Sequence, residues 1–362
     1  MCGFLFSNGP QSKEHFLSKL EIIKYRGPDF TGYEDIDGLH FGHVRLSILD
    51  LDPRSNQPFT YDNLHMVYNG EIYNYLDVKD ELVKIGYSFS TESDTEVLLL
   101  GYHAWGKKVL QKINGMFAFL IYDKQKQEIF GARDRLGVKP LYYFLGTKEF
   151  EVCSQLKPIS CDKQLNLDEN AISMFLDCKF IPSPYSIYKE IKKLEPGHCF
   201  NYSLTNHTFN SEKYWDLKEV VRFNGSYEDA KEQLKALFED AVKIRLFSDV
   251  PLGSFLSGGI DSALVTSYAS KLNKEPLNTF TIGFQEKDYD ESAVAEKYAQ
   301  KLKTNHKTLI CNPKGILKNL PVLLKVYDEP FADNSALPSL MLNFMTKKYV
   351  TVALSGDGGD ES

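Results

Sequence analysis

Gly253-Ser254-Phe255-Leu256-Ser257-Gly258-Gly259-Ile260-Asp261-Ser262 runs from an apolar, β-like segment through two glycines into a helix-forming stretch. Glycines permit a tight turn. A helix N-terminus then offers unpaired N–H groups and the positive end of the helix dipole to a phosphate. Asp261 adds an oxygen ligand suited to Mg²⁺. The plainer alternative is a simple strand-to-helix turn in which Asp261 or Ser262 caps the helix. The loop is not a Walker A sequence, because it lacks the Gly-Lys-Ser/Thr ending.

Around this stretch, β-like segments at 250–256, 279–284, 307–311 and 349–354 are separated by helix-length segments such as 261–272 and 290–302. That alternation predicts an α/β domain with a parallel sheet. A second acidic turn, Ser355-Gly356-Asp357-Gly358-Gly359-Asp360-Glu361, follows the last β-like run. In an open parallel sheet both loops lie at the carboxyl ends of strands, where ligands bind, so they are predicted to face one crevice. A glycine-rich solvated loop is the alternative. Upstream, residues 227–247 place Leu234, Leu237, Phe238, Ala241 and Val242 at the three-and-four spacing of an amphipathic helix.

Residues 1–205 follow a different pattern, with β-like stretches at 39–49, 64–74, 116–123, 128–131, 141–145 and 149–154 and helical patterns near 15–25, 76–85 and 95–105. Stacked sheets and helices are predicted there. The polar segment 206–226, with Asn206, Asn210 and Asn224-Gly225, is the candidate linker, and 227–362 forms the second domain. A chain of 362 residues exceeds the usual ceiling for one core, which agrees with two domains.

Composition excludes several classes. With 43% apolar and 25% charged residues, no apolar run of membrane-spanning length and no signal-peptide pattern at the start, the chain reads as cytoplasmic and without a membrane partner. A net charge of −7 and a pI near 5.7 argue against nucleic acid. Six cysteines, at 2, 153, 161, 178, 199 and 311, show no metal-ligand spacing and suit a reducing compartment.

Cys2 is the cysteine whose position matters. Removal of Met1 would leave it first, beside an α-amine whose ordinary pKa of about 7.7–8.0 lets it act as a base for the thiol; taken alone, it reads more plainly as an ordinary cysteine near a terminus, buried as a small hydrophobe. In the segment 66–75, MVYNGEIYNY, Asn69-Gly70 reads either as a hairpin turn or as an amide and a backbone N–H placed to hold an oxyanion. Arg45 is either a snorkelling surface residue or a clamp for a carboxylate. Ser93-Asp94-Thr95-Glu96 reads as a capping box with Ser93 at the N-cap, which leaves Asp94 free to bind an ammonium group.

MCGF at 1–4, RGPD at 26–29, HVRLSILD at 43–50, NGEIYNY at 69–75, ESDTEV at 92–97, GMFAF at 115–119 and ARDRLGVKPLYY at 132–143 together resemble the class II, N-terminal-nucleophile glutamine amidotransferases. The resemblance implies a four-layer αββα fold with Cys2 as nucleophile. It further implies that Arg45 and Asp94 bind the α-carboxylate and α-amine of glutamine, that Asn69 and Gly70 form the oxyanion hole, and that Glu71 lies beside the substrate. RGPD and ARDRLG look structural.

SGGIDS at 257–262, TFTIGF at 279–284, DEPFADNSALP at 328–338 and SGDGGDE at 355–361 resemble the asparagine synthetases, whose pyrophosphate loop splits ATP into AMP and pyrophosphate. By that resemblance Ser257, Gly258, Gly259, Asp261, Ser262, Ile282, Gly283, Ser355 and Gly356 contact ATP, and Asp261 and Asp360 hold Mg²⁺. Asp357 stands where many members have Glu and touches the acceptor. The implied reaction channels ammonia from glutamine through a tunnel to β-aspartyl-AMP, giving asparagine. The alternatives are amidation of another carboxylate, such as a sugar acid, and a non-catalytic glutamine or ATP sensor. A homodimer is compatible with the reading. Members continue beyond the acidic turn, so the chain is expected to be C-terminally incomplete.

Overall fold

The computed structural model describes residues 1–217, 223–286, 288, 290–311 and 317–358. They fall into two compact units, residues 1–218 with 328–332 and residues 219–327 with 333–362.

The first unit is built on two antiparallel sheets. One has the strand order β10-β8-β9-β1-β3-β2, from Ile191–Lys193, Tyr142–Leu145, Phe150–Cys153, Gly3–Ser7, Leu39–Arg45 and Phe30–Ile36. The other has the order β12-β11-β7-β6-β5-β4, from Thr208–Lys213, His198–Ser203, Glu128–Arg133, Gly115–Asp123, Leu64–Ile72 and Phe59–Tyr61. The period of two along each strand sorts the side chains into layers. Phe4 and Phe6 of β1 and Ala118, Leu120 and Tyr122 of β6 share the core between the sheets. Leu5 faces the other way, toward Phe16 and Leu20 of α1 (Lys13–Glu21). Phe117, Phe119 and Ile121 face Val78 and Leu82 of α2 (Tyr75–Lys84) and Val97 to Leu100 of α3 (Asp94–Trp105). The result is the four-layer αββα arrangement.

The second unit carries a four-stranded sheet in the order β15-β14-β13-β16, from Asn305–Cys311, Asn278–Phe284, Leu252–Phe255 and Val352–Leu354, every pair parallel. After α4 (Lys157–Ser160) and α5 (Glu169–Cys178) of the first unit, helices α6 (Tyr227–Lys243), α7 (Ile260–Leu272) and α8 (Ser292–Leu302) alternate with the strands of the second.

Four expectations are corrected by the backbone. Asn69-Gly70 makes no hairpin: both lie inside β5, opposite Ala118 and Phe117 of β6. A Cβ on Gly70 would sit 2.4 Å from the Met116 carbonyl oxygen, so the glycine serves close strand approach rather than a turn. The β-like run at 39–49 stops at Arg45, whose guanidinium draws the carbonyls of Leu49, Asp50 and Asp52 into a loop. Within the expected linker, Thr208–Lys213 is an edge strand whose residues are mostly exposed; only Phe209 packs against the inter-sheet core, so its polarity hid it. Of the apolar positions of α6, Phe238 and Val242 pack into the second unit's core, whereas Leu234 and Leu237 are exposed.

Candidate active sites

The first cleft lies where β1 begins and β3 and β5 end. Cys2, Arg45, Leu46, Gly70, Glu71 and Asp94 line a space of about 30 Å³, room for roughly one water. The Cys2 thiol lies 3.6 Å from the Leu46 carbonyl, and the Leu46 N–H lies 3.4 Å from Sγ. Burial pushes the Cys2 pKa up, and the positive chain N-terminus works against that shift.

Arg45 is 5% exposed, which removes the snorkelling reading. Its terminal nitrogens donate to the carbonyls of Leu49, Asp50 and Asp52 and to Asn56 Oδ1, which fix the guanidinium against the cleft. Asp94 is buried at the start of α3 and accepts hydrogen bonds from Tyr68 Oη (2.7 Å) and the Ile72 N–H (2.9 Å). Burial raises its pKa, and burial together with the Asp94 charge raises that of Glu71. An incoming cation would relieve both carboxylates.

Only half of the capping box forms. Ser93 Oγ accepts from the Thr95 N–H at 3.2 Å, but Glu96 turns to the N–H groups of Ser90 and Thr91 instead of Ser93. The complete box is at α6, where Ser226 and Asp229 bond each other's backbone.

Asn69 is 1% exposed, and its Nδ2 finds no hydrogen-bond partner among the described residues. A buried amide donor left unpaired costs about 1–3 kcal/mol, so a reason for keeping it is required.

The second cleft has a volume of about 630 Å³ and lies above the carboxyl ends of β13, β14 and β16. Ser257, Gly259, Asp261, Ser262, Ile282, Ser355, Gly356 and Asp357 all line it, so both acidic loops do face one crevice. The N-cap of α7 is Gly259 with no side-chain cap, which overturns capping by Asp261 or Ser262. Ser262 instead bonds back into the loop, accepting from the Ser257 N–H at 3.0 Å and lying 2.7 Å from Ser257 Oγ. The N-terminus of α7 therefore stays open to an anion. Gly258 does not line the cleft but donates its N–H to Glu291 Oε2 at 3.1 Å. Gly283 is also outside it, beside Ile310 and Asp290, where a Cβ would lie 2.8 Å from Ile310 Cδ1. Asp360 lies outside the described residues.

Asp261, Glu291 and Asp357 are acidic, and no Lys or Arg is among the described residues lining this cleft. A polyphosphate entering such walls needs its own cation. No cluster of three or more metal-ligating side chains occurs among the described residues. Mg²⁺ needs none, since it keeps waters and binds through one or two carboxylates plus phosphate oxygens. The donors present fit it.

A family model described as a glutamine amidotransferase domain matches residues 1–215, and one described as asparagine synthase matches residues 233–362. A putative glutamine-hydrolysing asparagine synthetase 2 of Methanocaldococcus jannaschii is 39% identical across all of this chain, which covers 75% of that protein. The chain belongs to the glutamine-hydrolysing asparagine synthetase family. Glutamine-hydrolysing asparagine synthetase 1 of Bacillus subtilis is 36% identical over the whole chain, and a putative synthetase of Mycobacterium bovis is 34% identical over 94% of it. The chain spans 58% and 55% of those two relatives.

Two basic residues to which the sequence assigned no role stand near Cys2. Arg26, in RGPD, donates from Nε to the Cys2 carbonyl at 2.9 Å. Lys139, in ARDRLGVKPLYY, is 3% exposed, and its Nζ lies 2.9 Å from Met1 Sδ. Burial lowers the Lys139 pKa to about 8, and the nearby charges of Glu71 and Cys2 act against that shift. The loop that delivers it is braced as its charges suggest. Asp134 accepts from the N–H groups of Val138 and Lys139, and Arg133 bonds the carbonyls of Gly137, Lys139 and Leu194. A lysine in a loop gives no periodic signal of burial, so only the fold exposes its place. No described helix of the chain is long and apolar enough to cross a membrane.

Proposed function

We propose that the protein is a cytoplasmic, glutamine-dependent asparagine synthetase that hydrolyses glutamine at Cys2 and passes the ammonia to aspartate activated by Mg²⁺-ATP. The observation that carries the glutaminase half is the buried Nδ2 of Asn69, without a partner among the described residues, on the strand whose next two residues, Gly70 and Glu71, line the cleft with Cys2. An idle donor there is matched to a charge that exists only during reaction.

In this reading, loss of Met1 frees the α-amine of Cys2, which takes the thiol proton. Sγ attacks the side-chain amide carbon of glutamine, and the oxyanion accepts from Asn69 Nδ2 and the Gly70 N–H. The C–N bond then breaks, ammonia leaves with the proton, and water hydrolyses the glutamyl thioester to glutamate. Arg45 meets the substrate α-carboxylate. Asp94 meets its α-ammonium, which compensates the cost of its burial. Glu71 stands beside the reacting amide.

In the second cleft, Ser257, Gly259, Ser262, Ser355 and Gly356 surround the pyrophosphate, the Gly258 N–H, now covered by Glu291, lies at its edge, and the backbone at Ile282 meets adenine. Asp261 and Asp360 would hold Mg²⁺, which supplies neutralising charge to the departing pyrophosphate. A carboxylate oxygen of aspartate displaces pyrophosphate from the α-phosphorus. Ammonia then attacks the acyl carbon, AMP leaves, and Asp357 orients the acceptor. Ammonia is mostly protonated in bulk water, so its transfer inside the protein belongs to the reading.

The test measures glutamate release by the purified protein and by Cys2→Ala, with carboxylate-dependent ATP–pyrophosphate exchange in parallel. Release abolished by Cys2→Ala supports the glutaminase site, and release that survives it removes Cys2 from the mechanism. Exchange stimulated by another carboxylate and not by aspartate would replace the acceptor.

A further inference from the structure

The loop that is proposed to hold pyrophosphate is already in contact with an anion from its own chain. Gly258 donates its N–H to Glu291 Oε2 at 3.1 Å, and a Cβ on Gly258 would lie 2.9 Å from that same oxygen. The carboxylate therefore sits against the loop backbone, where a phosphate oxygen would take the same hydrogen bond.

Glu291 is brought there by its neighbours. It precedes α8, and its carbonyl accepts from the N–H groups of Val294 and Ala295, which fixes its backbone at the helix start. Asp290 Oδ1 accepts from the Ser292 N–H (3.1 Å) and the Phe284 N–H (3.3 Å), fastening the start of α8 to the end of β14. Ala295 and Ala299 of α8 pack on Leu256, directly before the loop. With the backbone held on both sides, the Glu291 side chain retains the freedom to leave, since the residue is exposed and its carboxylate makes one hydrogen bond among the described residues.

Charge gives the contact a consequence. Glu291 lines the cleft with Asp261 and Asp357, and the described lining residues include no cation. A bare polyphosphate must compete with a carboxylate for the Gly258 N–H while facing three negative side chains. A metal-loaded polyphosphate brings the charge that lets Glu291 move away or remain nearby without repulsion.

We propose that Glu291 is a specificity-determining residue of the nucleotide cleft: it occupies the anion position of the empty loop, is displaced on binding, and so discriminates metal-loaded polyphosphate from the metal-free form. This rests on the nucleotide-site reading above and adds to it the residue that rejects the wrong ionic form.

The experiment is calorimetric titration of pyrophosphate, with and without Mg²⁺, into wild type, Glu291→Ala, Glu291→Gln and Asp261→Asn, each checked for an unchanged circular dichroism melt. Glu291→Ala is expected to bind metal-free pyrophosphate about tenfold more tightly than wild type, a difference of about 1.4 kcal/mol. Glu291→Gln keeps an acceptor oxygen without the charge and should gain less. Saturating Mg²⁺ should shrink both gains. Equal or weaker metal-free binding by Glu291→Ala overturns the proposal, and weaker binding only with Mg²⁺ would make Glu291 a metal contact instead. Loss of Mg²⁺-dependent binding in Asp261→Asn shows that the underlying site reading stands whatever Glu291 does. If no variant binds pyrophosphate under either condition, that reading falls and the Glu291 role falls with it.

Discussion

Replacing Asn69 by alanine separates catalysis from stability more sharply than any other substitution at the cysteine site. Asn69 is 1% exposed on β5, so an amide placed there for structure would be hydrogen-bonded, and its loss would cost about 1–3 kcal/mol. Its Nδ2 has no such bond to lose among the described residues. The expected stability loss is therefore about 1 kcal/mol or less, a fall in Tm of roughly 2–4 °C for a unit of this size. Removal of one oxyanion donor should lower kcat by about 10²–10³, with KM for glutamine little changed because the donor acts in the transition state. Steady-state glutamate release and differential scanning fluorimetry on the same preparations provide both numbers. A kcat within threefold of wild type, which is about 0.65 kcal/mol, would refute the oxyanion role. A large Tm loss with a matching loss of activity would instead make Asn69 a structural residue.

Gly70→Ala places a Cβ 2.4 Å from the Met116 carbonyl oxygen, a backbone atom of the paired strand; overpacking of this kind costs about 1–3 kcal/mol, and an unchanged Tm would show that the strands part freely. Burial lowers the His43 pKa from 6.5 to about 3, so the folded state resists a proton that the unfolded state accepts. The stability from neutral His43 is complete above about pH 6.5 and is lost toward pH 3, by up to roughly 1.4 kcal/mol per pH unit. Wild type should therefore lose more Tm between pH 7.5 and pH 5 than His43→Gln, and equal losses would contradict the burial argument. Lys139→Met keeps an apolar stem and removes a buried positive charge near Cys2 and Glu71. Alkylation of Cys2 by iodoacetamide should then require higher pH, and an unmoved pH profile would show that Lys139 does not act on the thiol.

The layers of the fold were legible wherever burial imposed a period. β6 alternates its apolar side chains between two cores, and the parallel sheet of the second unit followed from strand and helix alternation around 253–262. Elements with weak contrast escaped. β12 is an exposed edge strand that reads as linker, and β1 is buried on both faces and too short to show a period. Asn69-Gly70 misled because the same dipeptide suits a tight turn and a close strand crossing, and only the Met116 carbonyl beside Gly70 decides between them. Among the site residues, Cys2, Arg45, Glu71 and Asp94 were visible as motif members and meet at one cleft. Arg26 and Lys139 stand in motifs and Glu291 in none, but the sequence shows the contact of none of them, because each is carried by a loop or helix end to a partner far along the chain.

The claim on which the rest depends is that Cys2 becomes acylated by glutamine. Purified protein mixed with glutamine, quenched in acid within one turnover and digested, should give an N-terminal peptide that lacks Met1 and carries a glutamyl group on Cys2. Cys2→Ala should give no adduct at Cys153, Cys161, Cys178, Cys199 or Cys311 either. Glutamate release without any adduct on Cys2, or an adduct on one of the other five cysteines, would contradict the account.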